Sequence, residues 1–287
     1  MTGLGRKILL FLLALACGSS AWAQAAPITR IAEVEFKVSS LQKARGYYEG
    51  VLGFPEAFQV KGPSGVAEVF YKVNDDQYIA VTPTLKPGEL GRNDHIALQT
   101  PDIQAMRRAI AAQALNPTPI ATRADGNPVF SVTDPQGNKV EFIQYVPGSR
   151  QAQLRGKLDG SPRVSKEIYH AGLWESNRQA ASAFYTKLGL VRGGMLPGTR
   201  GEYLEMGAHA IDLETKNPPI PDTPATHVRY LREQYGSMYH VCVAVPDIQA
   251  AKRFVESRGH LTDAQVAVHI GHNKHWMMNT FDPDGSR

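Results

Sequence analysis

Asp94-His95-Ile96-Ala97-Leu98-Gln99-Thr100-Pro101-Asp102-Ile103-Gln104-Ala105 occurs a second time as Tyr239-His240-Val241-Cys242-Val243-Ala244-Val245-Pro246-Asp247-Ile248-Gln249-Ala250. In both copies a histidine opens a short apolar run, a Pro-Asp pair follows, and helical spacing begins at Ile103 or Ile248. Alternation puts Ile96 and Leu98, and Val241, Val243 and Val245, on one face of a strand, which leaves His95 and His240 on the other. Asp102 and Asp247 stand where a helix N-cap is needed; a carboxylate there accepts from the first amides and opposes the helix dipole. Ile103, Met106 and Ile110, like Ile248, Ala251 and Val255, keep the spacing of one apolar helix face. The stretch predicts strand, turn, helix, twice.

Working outward, the same unit recurs four times. The first begins at Ile31, where Val34, Phe36 and Val38 share a strand face. Ser39 and Ser40 offer caps to a helix that carries Leu41, Ala44, Tyr48, Val51 and Leu52 and stops at Gly53. Strands over 67–73 and 77–82 follow, and Pro83, Pro87, Gly88 and Gly91 break the chain. The second unit, from Asp94 to Tyr145, ends in a hairpin, 129–133 and 139–145, around Asp134-Pro135-Gln136-Gly137. The third opens at Ile168 and places a helix over about 177–188, closed by Gly189. His170 precedes Phe184 by the same fourteen positions as Glu33 precedes Tyr47, so Glu33 and His170 are equivalent. The fourth opens at His240, carries a helix over 248–258 and reaches the turn Asp282-Pro283-Asp284-Gly285.

Strand, helix, then two or three strands in each unit predicts an α+β protein of four βαβββ modules. A sheet with one helix on its back leaves its other face bare, so modules pair into two domains, each an open, cup-shaped mixed sheet with helices outside. The expected boundaries are 28–146 for the first domain and 164–287 for the second. The polar, glycine-containing 147–163 reads as a linker.

The chain of 287 residues is 43% hydrophobic and 20% charged, a globular composition, and its net charge of +4 includes no Lys/Arg block that would favour nucleic acid. Arg6-Lys7, the apolar run 8–16 and Ala21-Trp22-Ala23 read as a signal peptide over 1–23, too short to remain as a membrane span. An exported protein, periplasmic or extracellular, is expected, with a lipid anchor at Cys17 as the alternative. Cys17 and Cys242 are the two cysteines, so loss or lipidation of Cys17 leaves no intrachain disulfide.

The repeats resemble the vicinal oxygen chelate superfamily, which includes glyoxalase I, extradiol ring-cleaving dioxygenases, fosfomycin-resistance proteins and bleomycin-binding proteins. The residues that carry the resemblance are Tyr47-Tyr48-Glu49-Gly50-Val51-Leu52-Gly53-Phe54, its counterpart Phe184-Tyr185-Thr186-Lys187-Leu188-Gly189-Leu190, both His-plus-Pro-Asp-Ile segments, and Asp134 to Glu141. The resemblance implies a divalent metal (Fe, Mn, Ni or Zn), one per site, held by Glu33, His95 and Glu141 in the first half and by His170 and His240 in the second. Imidazole and carboxylate ligands facing one cleft leave open positions for substrate oxygens.

Two departures from the family pattern stand out. The second-half counterpart of Glu141 falls two positions past Arg287, so the last strand is expected to be missing from this sequence. Ala80 stands where glyoxalase I has a further glutamate, while Asp212 takes roughly that place in the third unit. The implied function is a metal-dependent lyase, isomerase or dioxygenase acting on a small oxygen-bearing substrate, as a monomer or homodimer; the alternative is a non-enzymatic binding protein of the bleomycin-resistance type. Pairing of units one with two and three with four, or of two with three, is left open. His269, His272 and His275 read as a polar loop or surface, because strand neighbours three apart face opposite sides, and Trp174 shares a strand face with His170.

Overall fold

The computed structural model describes residues 27–89, 91–175, 177–193, 201–215, 238–259, 261, 266–271 and 274–287; the segment 1–23 with Cys17, the Trp174 side chain and His272 lie outside them. No helix among the described residues is long and apolar enough to cross a membrane. The first unit comprises β1 (Arg30–Lys37), α1 (Leu41–Arg45) running into a π-helical turn (Gly46–Val51), β2 (Glu56–Gly62), β3 (Gly65–Lys72) and β4 (Tyr78–Thr82). The second comprises β5 (Asn93–Gln99), α2 (Ile103–Ala112), β6 (Ala121–Thr122), β7 (Pro128–Thr133) and β8 (Lys139–Ile143). After α3 (Arg150–Gln153) come β9 (Ile168–Glu175), α4 (Arg178–Leu188), β10 (Val191–Arg192), β11 (Gly201–Met206) and β12 (His209–Thr215). The fourth unit holds β13 (Met238–Val243), α5 (Ile248–Glu256), β14 (His269–Ile270) and β15 (Trp276–Met277).

Units one and two share an eight-stranded sheet, β2-β3-β4-β1-β5-β8-β7-β6, joined by the antiparallel β1/β5 seam. Within each unit the first strand pairs in parallel, β1 with β4 and β5 with β8, so the sheet is mixed, and it curls into an open half-barrel. Units three and four share the order β10-β11-β12-β9-β13, again with an antiparallel seam, β9/β13. In that half β14 and β15 pair with each other. The place that β8 holds beside β5 is taken next to β13 by Arg287, whose carbonyl accepts from Val241 N–H at 2.8 Å.

The alternation that predicts the strands also decides their faces. Val34, Phe36, Val38, Ile96 and Leu98 are almost fully buried in one core with Ile103, Met106 and Ile110 of α2. Asp102 and Asp247 cap α2 and α5 as expected, each accepting from amides of the first turn. Asn177 does the same for α4, which Gly189 closes at φ +107°. Gly53 is fixed by more than a turn: its φ is +76°, and an added Cβ would lie 2.3 Å from Pro162 O.

That close approach belongs to the segment 147–163, which is packed against the first half. Buried Lys72 donates to Leu154 O at 2.9 Å and to Lys157 O, and pairs with Asp75 at 2.6 Å. Arg163 donates to Lys72 O at 3.1 Å and Val73 O at 3.0 Å. Its composition reads as a tether; buried charge and backbone bonds hold it as a strap. The halves also touch directly, because Gln77 Nε2 donates to Ile31 O and Ile168 O while its Oε1 accepts from Ile168 N–H.

Candidate metal centre

Gly172 organises the second cleft. On β9 it lies two positions after His170, on the same face; β12 places Asp212 beside it on one side and β13 places His240 on the other. With no side chain at the centre, three groups close over one space. His170, Asp212 and His240 are all buried, and one ligand atom from each lies within 4.8 Å of the others. The two imidazole Nε2 atoms face each other at 2.7 Å, with the rings 85° apart. Two nitrogens bound to one ion at right angles through bonds of about 2.1 Å stand about 3 Å apart, so a shift of a few tenths of an ångström suffices. Two imidazoles and a carboxylate form a donor set that fits a divalent ion with positions left over for substrate. The Tyr203 ring stands edge-on to His170 at 5.5 Å. Burial pushes the neighbouring Cys242 thiol up to about 11, so it stays protonated near neutral pH.

The first cleft uses the same register with different residues. Glu33 stands in the place of His170, His95 in that of His240, Glu35 in that of Gly172 and Ala80 in that of Asp212, since Glu35 pairs with both Ala80 and His95 as Gly172 pairs with both Asp212 and His240. Glu33, His95 and Glu141 are brought together: His95 Nε2 lies 3.4 Å from Glu33 and 3.6 Å from Glu141, while its Nδ1 lies 3.0 Å from both Glu35 and Asp94. Glu33, Glu35 and His95 also place ligand atoms within 4.8 Å of one another.

Into this group reaches Arg123, from the turn between β6 and β7. Its guanidinium forks onto Glu33 at 3.1 and 2.9 Å and bridges to Glu141 at 3.0 Å. With that cation on the carboxylate oxygens, the arrangement is an ion-pair cluster and does not fit an open coordination site.

The electrostatics follow from the contacts. Burial opposes ionisation of Glu33, but Arg123 and His95 outweigh it and hold the carboxyl at about 2. Burial disfavours charge on His95 as well, yet Asp94, Glu33 and Glu35 raise it well above the ordinary imidazole range. Glu68, facing the same cup, is lifted to about 7 by burial and then by Glu35 and Glu33.

Neither Arg123 nor Glu35 stands out in the sequence. Arg123 follows a two-residue strand in a polar turn, and Glu35 reads as one charge in an alternating strand. Asp212 was legible only through its register against Ala80. His269 and His275 are exposed, as a polar surface predicts. A cavity of about 770 Å³ lies beside β13, lined by His240 and by apolar residues of the first half such as Phe36, Tyr47 and Leu52; it adjoins the second cleft without including His170 or Asp212.

Comparison with known proteins agrees with this architecture. Residues 30–142 match the family model described as Glyoxalase/Bleomycin resistance protein/Dioxygenase superfamily. Among solved structures, the chain is similar to a Mn(II)-bound glyoxalase from Novosphingobium aromaticivorans, with a TM-score of 0.63 and 16% identity over 91% of this chain and 81% of that one. It is similar to the 2,3-dioxygenase LapB from Pseudomonas sp. KL28, with a TM-score of 0.62 and 15% identity over 91% of each chain. Homoprotocatechuate 2,3-dioxygenase from Arthrobacter globiformis gives a TM-score of 0.61 and 16% identity over 91% of this chain and 78% of that one. No curated protein matches the chain by sequence. Residues 30–142 thus match the model of the Glyoxalase/Bleomycin resistance protein/Dioxygenase superfamily, in keeping with the resemblance that the sequence carries, and the solved structures share the fold over both halves.

Proposed function

We propose that the protein is a metal-dependent enzyme of this superfamily, acting on a small oxygen-bearing substrate in its second cleft. The observation that carries this reading is the convergence of His170, His240 and Asp212 on one buried space. Bound there, a divalent ion supplies Lewis acidity and a template for substrate oxygens. The chain's own part is positional. His170 and His240 present their Nε2 atoms from adjacent strands, Asp212 adds a negative charge to favour a cation, and Gly172 leaves room between them. Burial of all three keeps competing water out and strengthens their electrostatic pull. The signal-peptide pattern read in residues 1–23 supports a site of action outside the cytoplasm.

The test is Mn(II) binding to the purified chain, followed by isothermal titration and by elemental analysis after dialysis. About one ion per chain is expected, lost in His170→Ala and His240→Ala and weakened roughly tenfold or more in Asp212→Asn, where a neutral amide replaces the anionic oxygen. A wild-type chain that binds no Mn(II), or one whose binding survives both histidine variants, overturns the reading.

A further inference from the structure

The two clefts share one register and differ most in what reaches into them. Arg123 N–H donates to Asn127 O at 2.8 Å, and the carbonyl of Arg123 accepts from Gly126 N–H at 2.9 Å. In the fourth unit Gly271 N–H donates to His275 O at 2.9 Å, and its carbonyl accepts from Lys274 N–H at 2.9 Å. The turns are the same. Counted back from the matching turn residues Asp134 and Asp282, Asn127 corresponds to His275 and Arg123 to Gly271. At this position the second unit carries a guanidinium and the fourth a glycine.

The guanidinium is built in. Besides its bonds to Glu33 and Glu141, Arg123 donates to Asp125 Oδ2 through Nε at 3.1 Å and through Nη2 at 2.5 Å. Asp125 is held in turn by Gln151 Nε2 at 2.8 Å, and Gln151 Oε1 accepts from Asn127 Nδ2 at 2.8 Å. Asp125, Asn127 and Gln151 are buried to 2% exposure or less. Phe70 lies under the guanidinium at 5.5 Å, with Phe58 stacked on Phe70 at 4.3 Å. Carboxylates removed from water need a partner of opposite charge, and here a side chain meets that need from within the chain, locked by α3 of the 147–163 strap.

We infer that Arg123 is the resident cation of the first cleft, standing where a metal ion would otherwise sit, so that Glu33, Glu35, His95 and Glu141 form a latent metal site that the wild-type chain keeps closed. The two halves have then divided their roles. The first is a self-neutralised structural cup; the second carries the donor set of His170, Asp212 and His240.

The experiment counts Mn(II) in a His240→Ala background, which silences the second cleft and makes the result independent of the function proposed above. His240→Ala alone is expected to bind no ion. Adding Arg123→Gly, the residue found at the matching position of the fourth unit, raises the count to about one per chain, increases Tm when Mn(II) is added, and loses both effects on further Glu33→Gln. An ion bound by His240→Ala and released by His95→Ala overturns the inference, as does a folded Arg123→Gly chain, checked by circular dichroism, that binds none. Should Arg123→Gly fold only with Mn(II) present, that rescue supports it. A second arm needs no change at Arg123: in the otherwise wild-type chain, Glu33→Gln lowers Tm and leaves the Mn(II) count unaltered, whereas a count that falls by one shows the first cleft holds metal already.

Discussion

Tyr185 donates its hydroxyl to Asp134 Oδ2 at 3.0 Å, tying α4 of the third unit to the hairpin turn of the second. Tyr48 makes the equivalent bond to Asp282 Oδ2, also at 3.0 Å, from the first unit to the turn of the fourth. The halves are thus cross-linked in both directions by one repeated tyrosine–aspartate pair. Burial first, and then the neighbouring aspartate, push both phenols well above their ordinary range, so each remains a donor. Tyr185→Phe keeps the ring and deletes the bond. A loss of roughly 1 to 3 kcal/mol is expected for removing a hydrogen bond to a charged acceptor, read from urea unfolding, and Tyr48→Phe should cost a similar amount. A loss within experimental error in both variants would show that the turns are held by their own amides alone.

Glu175 sits at the end of β9 beside the same Asp134. Burial, and then Asp134, push its carboxyl up to about 8 from an ordinary 4.5. Because the folded value is the higher one, folding favours the protonated acid. The stabilisation is complete below about pH 4.5 and disappears as pH rises through about 8. Glu175→Gln keeps the shape and removes the titration, so it should be more stable than wild type at pH 9, with the difference shrinking steadily toward pH 5. Thermal unfolding at pH 5, 7 and 9 checks this; a gap of constant size would mean that Glu175 does not titrate in the folded protein.

Glu33 behaves in the opposite sense. Despite its burial, Arg123 and His95 hold it at about 2, below its unfolded value, so its contribution is present above about pH 4.5 and is lost as pH falls toward 2. Glu33→Gln leaves Arg123 short of its fork partner and should cost roughly 3 to 5 kcal/mol at pH 7, the range for breaking a buried ion pair. The wild type should approach the variant on acidification, as measured by guanidinium unfolding between pH 7 and pH 3.

Lys72 is fully buried and reaches Asp75 at 2.6 Å, Asp159 at 3.0 Å and the carbonyl of Leu154 at 2.9 Å. Both aspartates keep part of their surface in water, so Lys72→Met frees them to resolvate and loosens the strap with little change to the sheet. Chymotrypsin should cut near Leu154 and Leu158 several-fold faster than in wild type while β-sheet circular dichroism stays unchanged. Equal cleavage rates would mean that Arg163 and Gln151 suffice to hold the segment.

The residues that mark each unit were readable because their causes are local. Asp102 and Asp247 cap helices within three positions of themselves, Gly189 ends α4 by its own backbone conformation, and alternation assigns His95 and His240 to the cup side. The packing of the 147–163 segment was not readable for the same reason in reverse: its glycines and polar residues read only as a linker, and nothing nearby announces that Lys72, more than eighty positions earlier, is bound to its carbonyls.

By itself the sequence determined four successive strand–helix segments, the faces they bury and the matching register of Glu33, His95, His170 and His240, since periodicity and capping act between near neighbours. Only the tertiary structure decided which units share a sheet, that Asp212 joins His170 and His240 around Gly172, and that Arg123 fills the first cup. Those contacts join residues up to ninety positions apart, and a guanidinium in a polar turn reads the same on paper whether it faces solvent or three buried carboxylates. The charge it meets depends on how the sheet curls, which no short stretch of the chain encodes.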